Sequence, residues 1–288
     1  MQVQVLVVGA GYTGRAISAL AARAGWRVGC TTRAAARVTM PEGVSLLPFD
    51  EPTSFARTTH LIVTAPPGAH GDPVWAQHGA ALQAAPLVWI GYLSTTGVYG
   101  DRQGGWVDET TAPMPGQDRS HRRRAAELQW EGLGQRVAVD IFRTGGIYGP
   151  ARNALEDVRS GTARSIFKPG HAFGRIHRDD IARAVVAAAA SAPKSGVRVL
   201  HLVDDEPSAP ADVTAEACRL LGMPPPASID FADALQGMSE MGRSFWSENR
   251  RVANTRTKAT LDMDWAYPTY REGLAGILAE ERAKASSQ

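Results

Sequence analysis

The chain opens on a continuous aliphatic run from Val3 to Val8, broken only by Gln4. Such a run predicts a strand covered on both faces, as in a parallel sheet, rather than one with a solvated face. Alanine-rich helical sequence follows from Gly11 to Ala24 with Ile17 and Leu20 turned inward, and Gly25 reads as the residue that closes it. Further strands are predicted over Arg27–Thr31, Val44–Leu47, Leu61–Thr64 and Leu87–Leu93. A helix over Arg119–Glu131 and a strand over Val137–Phe142 come next, then a helix over Asp179–Ala190 and a strand over Val197–Leu202. An amphipathic helix over Arg271–Lys284 ends the pattern, with Ala285–Gln288 expected to fray. Strand-like and helix-like segments in alternation predict an α/β chain, a doubly wound parallel sheet with helices on both faces.

After Gly149 the pattern changes to proline punctuation, with Pro150, Pro169, Pro193, Pro207, Pro210 and Pro224–Pro226. We therefore expect a main domain over residues 1–150, with 176–203 returning to its sheet. Residues 151–175 and 204–288 would form a smaller C-terminal lobe. Composition adds exclusions. A 44% hydrophobic and 21% charged chain of 288 residues is no disordered polymer, and its net charge of +2 favours no charged partner. Cys30 and Cys218 cannot make a disulfide framework and form no CxxC pair. No stretch approaches the ~18 apolar residues of a membrane span. The N-terminus reads as a strand, not a leader. These features predict a cytoplasmic protein, a monomer or homodimer, with no membrane or nucleic-acid partner. Arg122–Arg124 is then a solvated helix face, and His70, Asp72 and His78 lack metal-ligand spacing, so no metal is expected.

The first chemical signal is Gly9-Ala10-Gly11-Tyr12-Thr13-Gly14, a GxGxxG directly after a strand and opening a helix. The three glycines serve a tight turn, close approach of a pyrophosphate, and helix–sheet contact, with the anion on the helix N-terminus. The second strand ends Cys30-Thr31-Thr32-Arg33, where a site for NAD(H) commonly has an acid on the ribose hydroxyls. An arginine there suits a 2′-phosphate, so NADP(H) is expected ahead of NAD(H). Asp50 after the third strand either reaches the adenine or caps the next segment as a helix N-cap. Tyr12, Thr13, Thr32, Ala65, Pro66, Ser94 and Arg123, reaching in from the otherwise solvated Arg122–Arg124 face, complete the expected cofactor set.

Several stretches then resemble one family in order along nearly the whole chain, from Val3 to about Leu278. They are Leu93-Ser94-Thr95-Thr96-Gly97-Val98-Tyr99-Gly100-Asp101, Phe142-Arg143-Thr144-Gly145-Gly146-Ile147-Tyr148-Gly149-Pro150 and Arg175-Ile176-His177-Arg178-Asp179-Asp180-Ile181-Ala182. His201-Leu202-Val203-Asp204-Asp205-Glu206-Pro207 and Arg251-Val252-Ala253-Asn254 continue the series. The family is that of the extended short-chain dehydrogenases/reductases, the epimerase/dehydratase group. The resemblance implies a Rossmann-type domain, a C-terminal substrate lobe, and a nicotinamide cofactor across the strand ends. It also implies that Thr95 stands at the position of the catalytic Ser/Thr hydroxyl.

The family's Tyr-x-x-x-Lys is absent. Registered on Ala125-Ala126-Glu127, Arg119 stands for the tyrosine and Arg123 for the lysine, and no tyrosine occurs between Gly100 and Ile147. One residue of slippage would make the pair Ser120 and Arg124. Arginine is no general acid near neutrality, so the sequence resembles atypical members that keep the fold and lose the proton carrier. His177, Tyr99 and water are the remaining candidate proton donors, although His177 also stands beside Asp179, itself a candidate N-cap. Trp246 with Arg250 and Arg251 suits either a planar or phosphorylated ligand, or core packing. Two functions follow: an atypical NADP(H)-binding oxidoreductase or epimerase-like enzyme on an unidentified small molecule, or a non-catalytic NADP(H)-binding redox sensor or regulatory module.

Overall fold

A computed structural model describes residues 4–33, 39–51 and 55–287. Its centre is a seven-stranded, wholly parallel sheet. We label the first five strands β1 (Gln4–Val8), β2 (Arg27–Thr32), β3 (Val44–Pro48), β4 (His60–Val63) and β5 (Trp89–Thr95). Across the sheet the order is Gly196–Leu202, Ala138–Thr144, β5, β4, β1, β2, β3. The chain winds outward from β1 to β3, returns to the other side of β1 as β4, and continues to the opposite edge. Val7 has Cys30 as its partner on one side and Ile62 on the other. This reversal beside β1 opens a crevice at the carboxyl ends of β1 and β4, the usual ligand position in such sheets.

Apolar side chains on both faces explain the uninterrupted strand sequences. One core packs Val5, Val7, Ile62 and Phe142 against Ile17, Ala184 and Val185. The other packs Leu6, Val8, Leu61, Ile90 and Ile141 against Leu82, Ala126 and Trp130. Helix α1 (Tyr12–Arg23) therefore lies on one face with Arg178–Ala190, and helices α2 (Pro73–Ala84) and α3 (Asp118–Glu131) cover the other. Asp140, buried mid-strand, is matched by Arg198 through two contacts of 2.7 Å and by the Trp89 indole N–H at 2.7 Å. A buried carboxylate without such donors would be strongly destabilising.

Element bounds differ from the expected ones by a residue or two, and Val3 and Gln288 lie outside the described residues. Gly25 takes a left-handed φ of 81° after α1, as its closing role requires. Three readings need correction. The final helix runs Tyr270–Ser286, so Ala285 and Ser286 continue it rather than fray. Helix α2 was not anticipated, although Asp72 and Pro73 mark its start. Asp72 caps it by accepting from Val74 N at 2.8 Å and Trp75 N at 3.3 Å, with the other oxygen on the Trp130 indole. Helix Pro210–Leu221, closed by Gly222 at φ 66°, was likewise unread.

The C-terminal part packs helices Ala154–Arg159, Pro210–Leu221 and Tyr270–Ser286 around Leu155, Ala217 and Leu274. Strand Arg251–Val252 from this part pairs with Trp106–Val107 from the first half. Past the sheet, Asp204 is buried and its carboxyl is pushed up to about 8, because desolvation outweighs the nearby Arg175. An unfolded aspartate titrates near ~3.9. The native state thus holds a proton that the unfolded chain releases, so stability from this group falls as pH rises from ~4 through ~8. Asp204→Asn should therefore gain melting temperature relative to wild type as pH is raised from 5 to 8. A wild-type minus variant difference that stays flat over that range would contradict the assignment.

Candidate functional site

The β1–α1 loop is shaped by contacts that only glycine permits. Gly9 has φ 117°, and a Cβ there would stand 2.4 Å from Thr64 Oγ1. A Cβ on Gly14 would lie 1.9 Å from the Gly9 carbonyl oxygen. The Thr64 hydroxyl, at the end of β4, donates toward Gly9 O at 2.9 Å and Val8 O at 3.2 Å, pinning the turn. Gly11 differs: a Cβ there would meet nothing within 4 Å. It is also the N-cap of α1 with no side-chain cap, so the helix presents its first N–H groups to open space.

That space belongs to a cavity of about 940 Å³ lined by Gly9–Gly11, Thr31–Arg33, Asp50, Ala65 and Pro66. A second cavity, about 600 Å³, is lined by Thr13, Ser94–Gly97, Arg119, Arg123 and residues of the C-terminal lobe. Thr64 and Pro66 line both, making one trough over the carboxyl ends of β2, β1, β4 and β5. These residues fit a dinucleotide. The cradle at Gly11 is the space a side chain would fill, and Arg33 is exposed at the far end. Asp50 accepts from Gln77 Nε2 at 2.9 Å at the same rim, and the segment it was expected to cap begins outside the described residues. Thr32 lines the cavity beside Arg33. The Tyr12 hydroxyl donates to Pro150 O at 3.0 Å, so its ring serves the lobe hairpin, while its backbone opens α1 beside the Gly11 cradle.

Thr95 ends β5 inside the second cavity. Its oxygen accepts from Gly97 N at 3.1 Å, capping the turn Thr96–Tyr99. A hydroxyl that accepts from backbone still has its own proton to donate, and Thr95 lines the cleft. Ser94 donates to Glu127 Oε1 at 2.5 Å beneath the floor, so it supports the site from behind. Arg119 and Arg123, one turn apart on α3, both line the cleft. Arg123 donates to Leu93 O at 2.5 Å, while Arg119 lies 4.2 Å over the Phe245 ring and burial holds its pKa below the ordinary value. Arg124 instead pairs with Glu127 and Glu131, while Ser120, largely buried beside Gly97, lines the cleft between Arg119 and Arg123.

Both reserve proton donors are out of place. His177 is 1% exposed, enclosed by Tyr148 and Tyr267, and its Nδ1 accepts from Asp179 N at 3.2 Å. It, and not Asp179, is the N-cap of helix Arg178–Ala190, and desolvation lowers its pKa. Tyr99 is buried among Arg143, His201 and Asp108 O, and burial raises its pKa. Trp246 is core, packed with Phe173 and Phe231. The lobe brings to the cleft four residues not fully read from sequence: Arg152, Phe245, Glu248 and Arg250. Arg152 stands two residues after Pro150, and the other three lie within four residues of Trp246.

Fold and cleft together define a Rossmann-type α/β protein with a ligand trough shared between its sheet and a C-terminal lobe. No protein-family model matches the sequence. The structure of a conserved protein of unknown function from Silicibacter pomeroyi is 41% identical, with 97% of this chain and 99% of that chain covered and a TM-score of 0.87. A human epimerase family protein solved with NADPH is 18% identical over 95% of this chain and 98% of its own, TM-score 0.75, a likeness of fold. A curated 3-diazoavenalumate denitrifying reductase of a Streptomyces species is 30% identical over 171 residues, 57% of this chain. The matched region covers 54% of that reductase, so this chain spans about half the length of the curated relative it matches. The chain shares the Rossmann-type fold of these solved structures.

Proposed function

We propose that the protein is an NADP(H)-dependent reductase of a small molecule, working without the family's Tyr-Lys proton carrier. The observation that carries this reading is the single trough that joins Arg33 and the Gly11 cradle to Thr95. The reductase activity of the Streptomyces relative supports the direction of reaction. When bound, the nicotinamide supplies the hydride. The cradle and the α1 N-terminus hold the pyrophosphate, Arg33 meets the 2′-phosphate, and Asp50 faces the adenosine end. The Thr95 O–H donates a hydrogen bond to the substrate oxygen or nitrogen that gains electron density. Arg123 stabilises that charge as a fixed cation, and water entering the open cleft delivers the proton. Absence of a membrane-spanning helix among the described residues and two buried free thiols support a cytoplasmic location.

The occupation of the tyrosine position by Arg119 favours a second reading, a cofactor-binding redox sensor without turnover. Calorimetric titration with NADPH and NADH, with NADPH consumption assayed against a panel of carbonyl compounds, separates the two. NADPH should bind tighter than NADH by about 1–3 kcal/mol if the 2′-phosphate is hydrogen-bonded to the Arg33 charge, and Arg33→Ala should erase the difference. Equal affinities in the wild type would remove the case for NADP(H). Tight NADPH binding with no turnover on any substrate would favour the sensor.

A further inference from the structure

The lobe side of the trough is unbalanced in charge. Arg119, Arg123, Arg152 and Arg250 line it against one carboxylate, Glu248. Arg123 is taken up by Leu93 O, and Arg250 by Gly100 O at 2.7 Å and Glu248 Oε2 at 2.8 Å. The Arg119 and Arg152 guanidinium groups donate no hydrogen bond among the described residues, yet both side chains are held in place. Arg119 rests on Phe245, which is itself 53% exposed. Arg152 is presented by a tight hairpin in which Gly149 N and Arg152 N each donate to the other residue's carbonyl, at 2.9 and 3.0 Å, with Ala151 at φ 60°. Positive φ at an alanine is strained, so the position of Arg152 is imposed by the fold. Independently, Glu248 Oε1 is buried in the same lining without a hydrogen-bond partner. A buried carboxylate oxygen left in that state is unfavourable unless a ligand donates to it.

We propose, building on the reductase reading, that the substrate is a small anion with a planar apolar body, a carboxylate or a phosphate monoester. Its anionic group is held by Arg119 and Arg152, where planar guanidinium forks match such oxygens. Its body lies against Phe173 and Phe245, and Glu248 Oε1 accepts from a hydroxyl or N–H that the ligand carries. The tyrosine position has therefore been turned from proton transfer to recognition of charge.

The test is calorimetric titration of the full-length protein, saturated with NADP⁺, with benzoate, phenyl phosphate and the neutral benzamide. The charged probes should bind, and benzamide should bind at least about tenfold more weakly, the loss of one charge-assisted hydrogen bond. Preference between benzoate and phenyl phosphate identifies which anion the site takes. Arg119→Gln should weaken the charged probes by about tenfold or more and leave benzamide, NADP⁺ affinity and melting temperature unchanged. Arg152→Gln should act in the same sense. Arg219→Gln, on an exposed helix face paired with Glu216, should change nothing. Benzamide binding as tightly as benzoate, no binding by either anion, or anion affinity indifferent to both Arg119→Gln and Arg152→Gln would overturn the proposal. Failure of NADP⁺ itself to bind would strike the reductase reading alone. The same titrations on the free protein would then decide the anion question, because dependence on Arg119 separates this site from the Gly11 cradle.

Discussion

Gly11→Val is expected to leave the protein folded and to weaken NADPH binding by at least about 100-fold, since loss of the cradle removes several hydrogen bonds to a charged group. Gly11 has φ −77° and ψ −168°, backbone that any residue adopts, and its absent Cβ points into empty space. The branched side chain would therefore strain nothing in the protein and would occupy only the volume the pyrophosphate needs. Its neighbours predict the opposite behaviour. Gly14→Ala drives a methyl to within 1.9 Å of the Gly9 carbonyl oxygen, and Gly9→Ala adds a clash with Thr64 to a left-handed φ. Both should lower the melting temperature before any ligand is added. Thermal melts and NADPH titration of the three variants separate a ligand-space glycine from two packing glycines. Unchanged NADPH affinity in Gly11→Val would place the nucleotide elsewhere.

The same three glycines show what sequence could reveal here and what it could not. Strand β1, the loop and α1 follow one another within 20 residues, and each has a local cause: β-branched burial, forced turn geometry, alanine periodicity. The sheet was legible for that reason, as was the absence of the tyrosine at Arg119. The second wall of the cleft was not. Arg152, Phe245 and Glu248 are distant from β5 in sequence and reach Thr95's cleft only through tertiary packing. His177 was misread for a related reason. The residues that follow it, Arg178 to Asp180, are charged, but Tyr267, some 90 residues on, packs a ring 4.1 Å from its own and encloses it. Helix α2 is signalled in the sequence only by Asp72 and Pro73, whose cap and first-turn roles show in the backbone bonds Asp72 accepts.

The network beneath the cleft should carry the largest single contribution to stability. Glu127 is fully buried and accepts from Ser94 Oγ, from Arg143 Nε at 3.1 Å and Nη2 at 2.9 Å, and from Arg124 Nη1 at 2.8 Å. Arg143 Nη1 donates in turn to the Tyr99 hydroxyl at 2.8 Å, which lies 2.6 Å from His201 Nε2. His201 Nδ1 is 2.7 Å from Ala253 O, and a carbonyl only accepts, so that nitrogen bears the proton and Nε2 accepts from tyrosine. Desolvation lowers the His201 pKa, which agrees with a neutral ring. The chain of bonds thus joins α3, β5, strand Ala138–Thr144, strand Gly196–Leu202 and the segment after Val252. Glu127→Ala removes the acceptor on which the sunken Arg143 guanidinium depends, and breaking one side of a buried pair costs about 3–5 kcal/mol. At about 2–4 °C per kcal/mol for a chain of this size, the melting temperature should fall by ~6–20 °C. Arg143→Leu alone should be destabilising for the converse reason, an unpaired buried carboxylate. The double variant Glu127→Ala with Arg143→Leu should lose less than the sum of the two singles, because no buried charge is then left without its partner. A Glu127→Ala protein within about 1 kcal/mol of wild type, well short of the buried-pair range, would show that water reaches Arg143. The floor under Ser94 and Thr95 would then be held by packing alone.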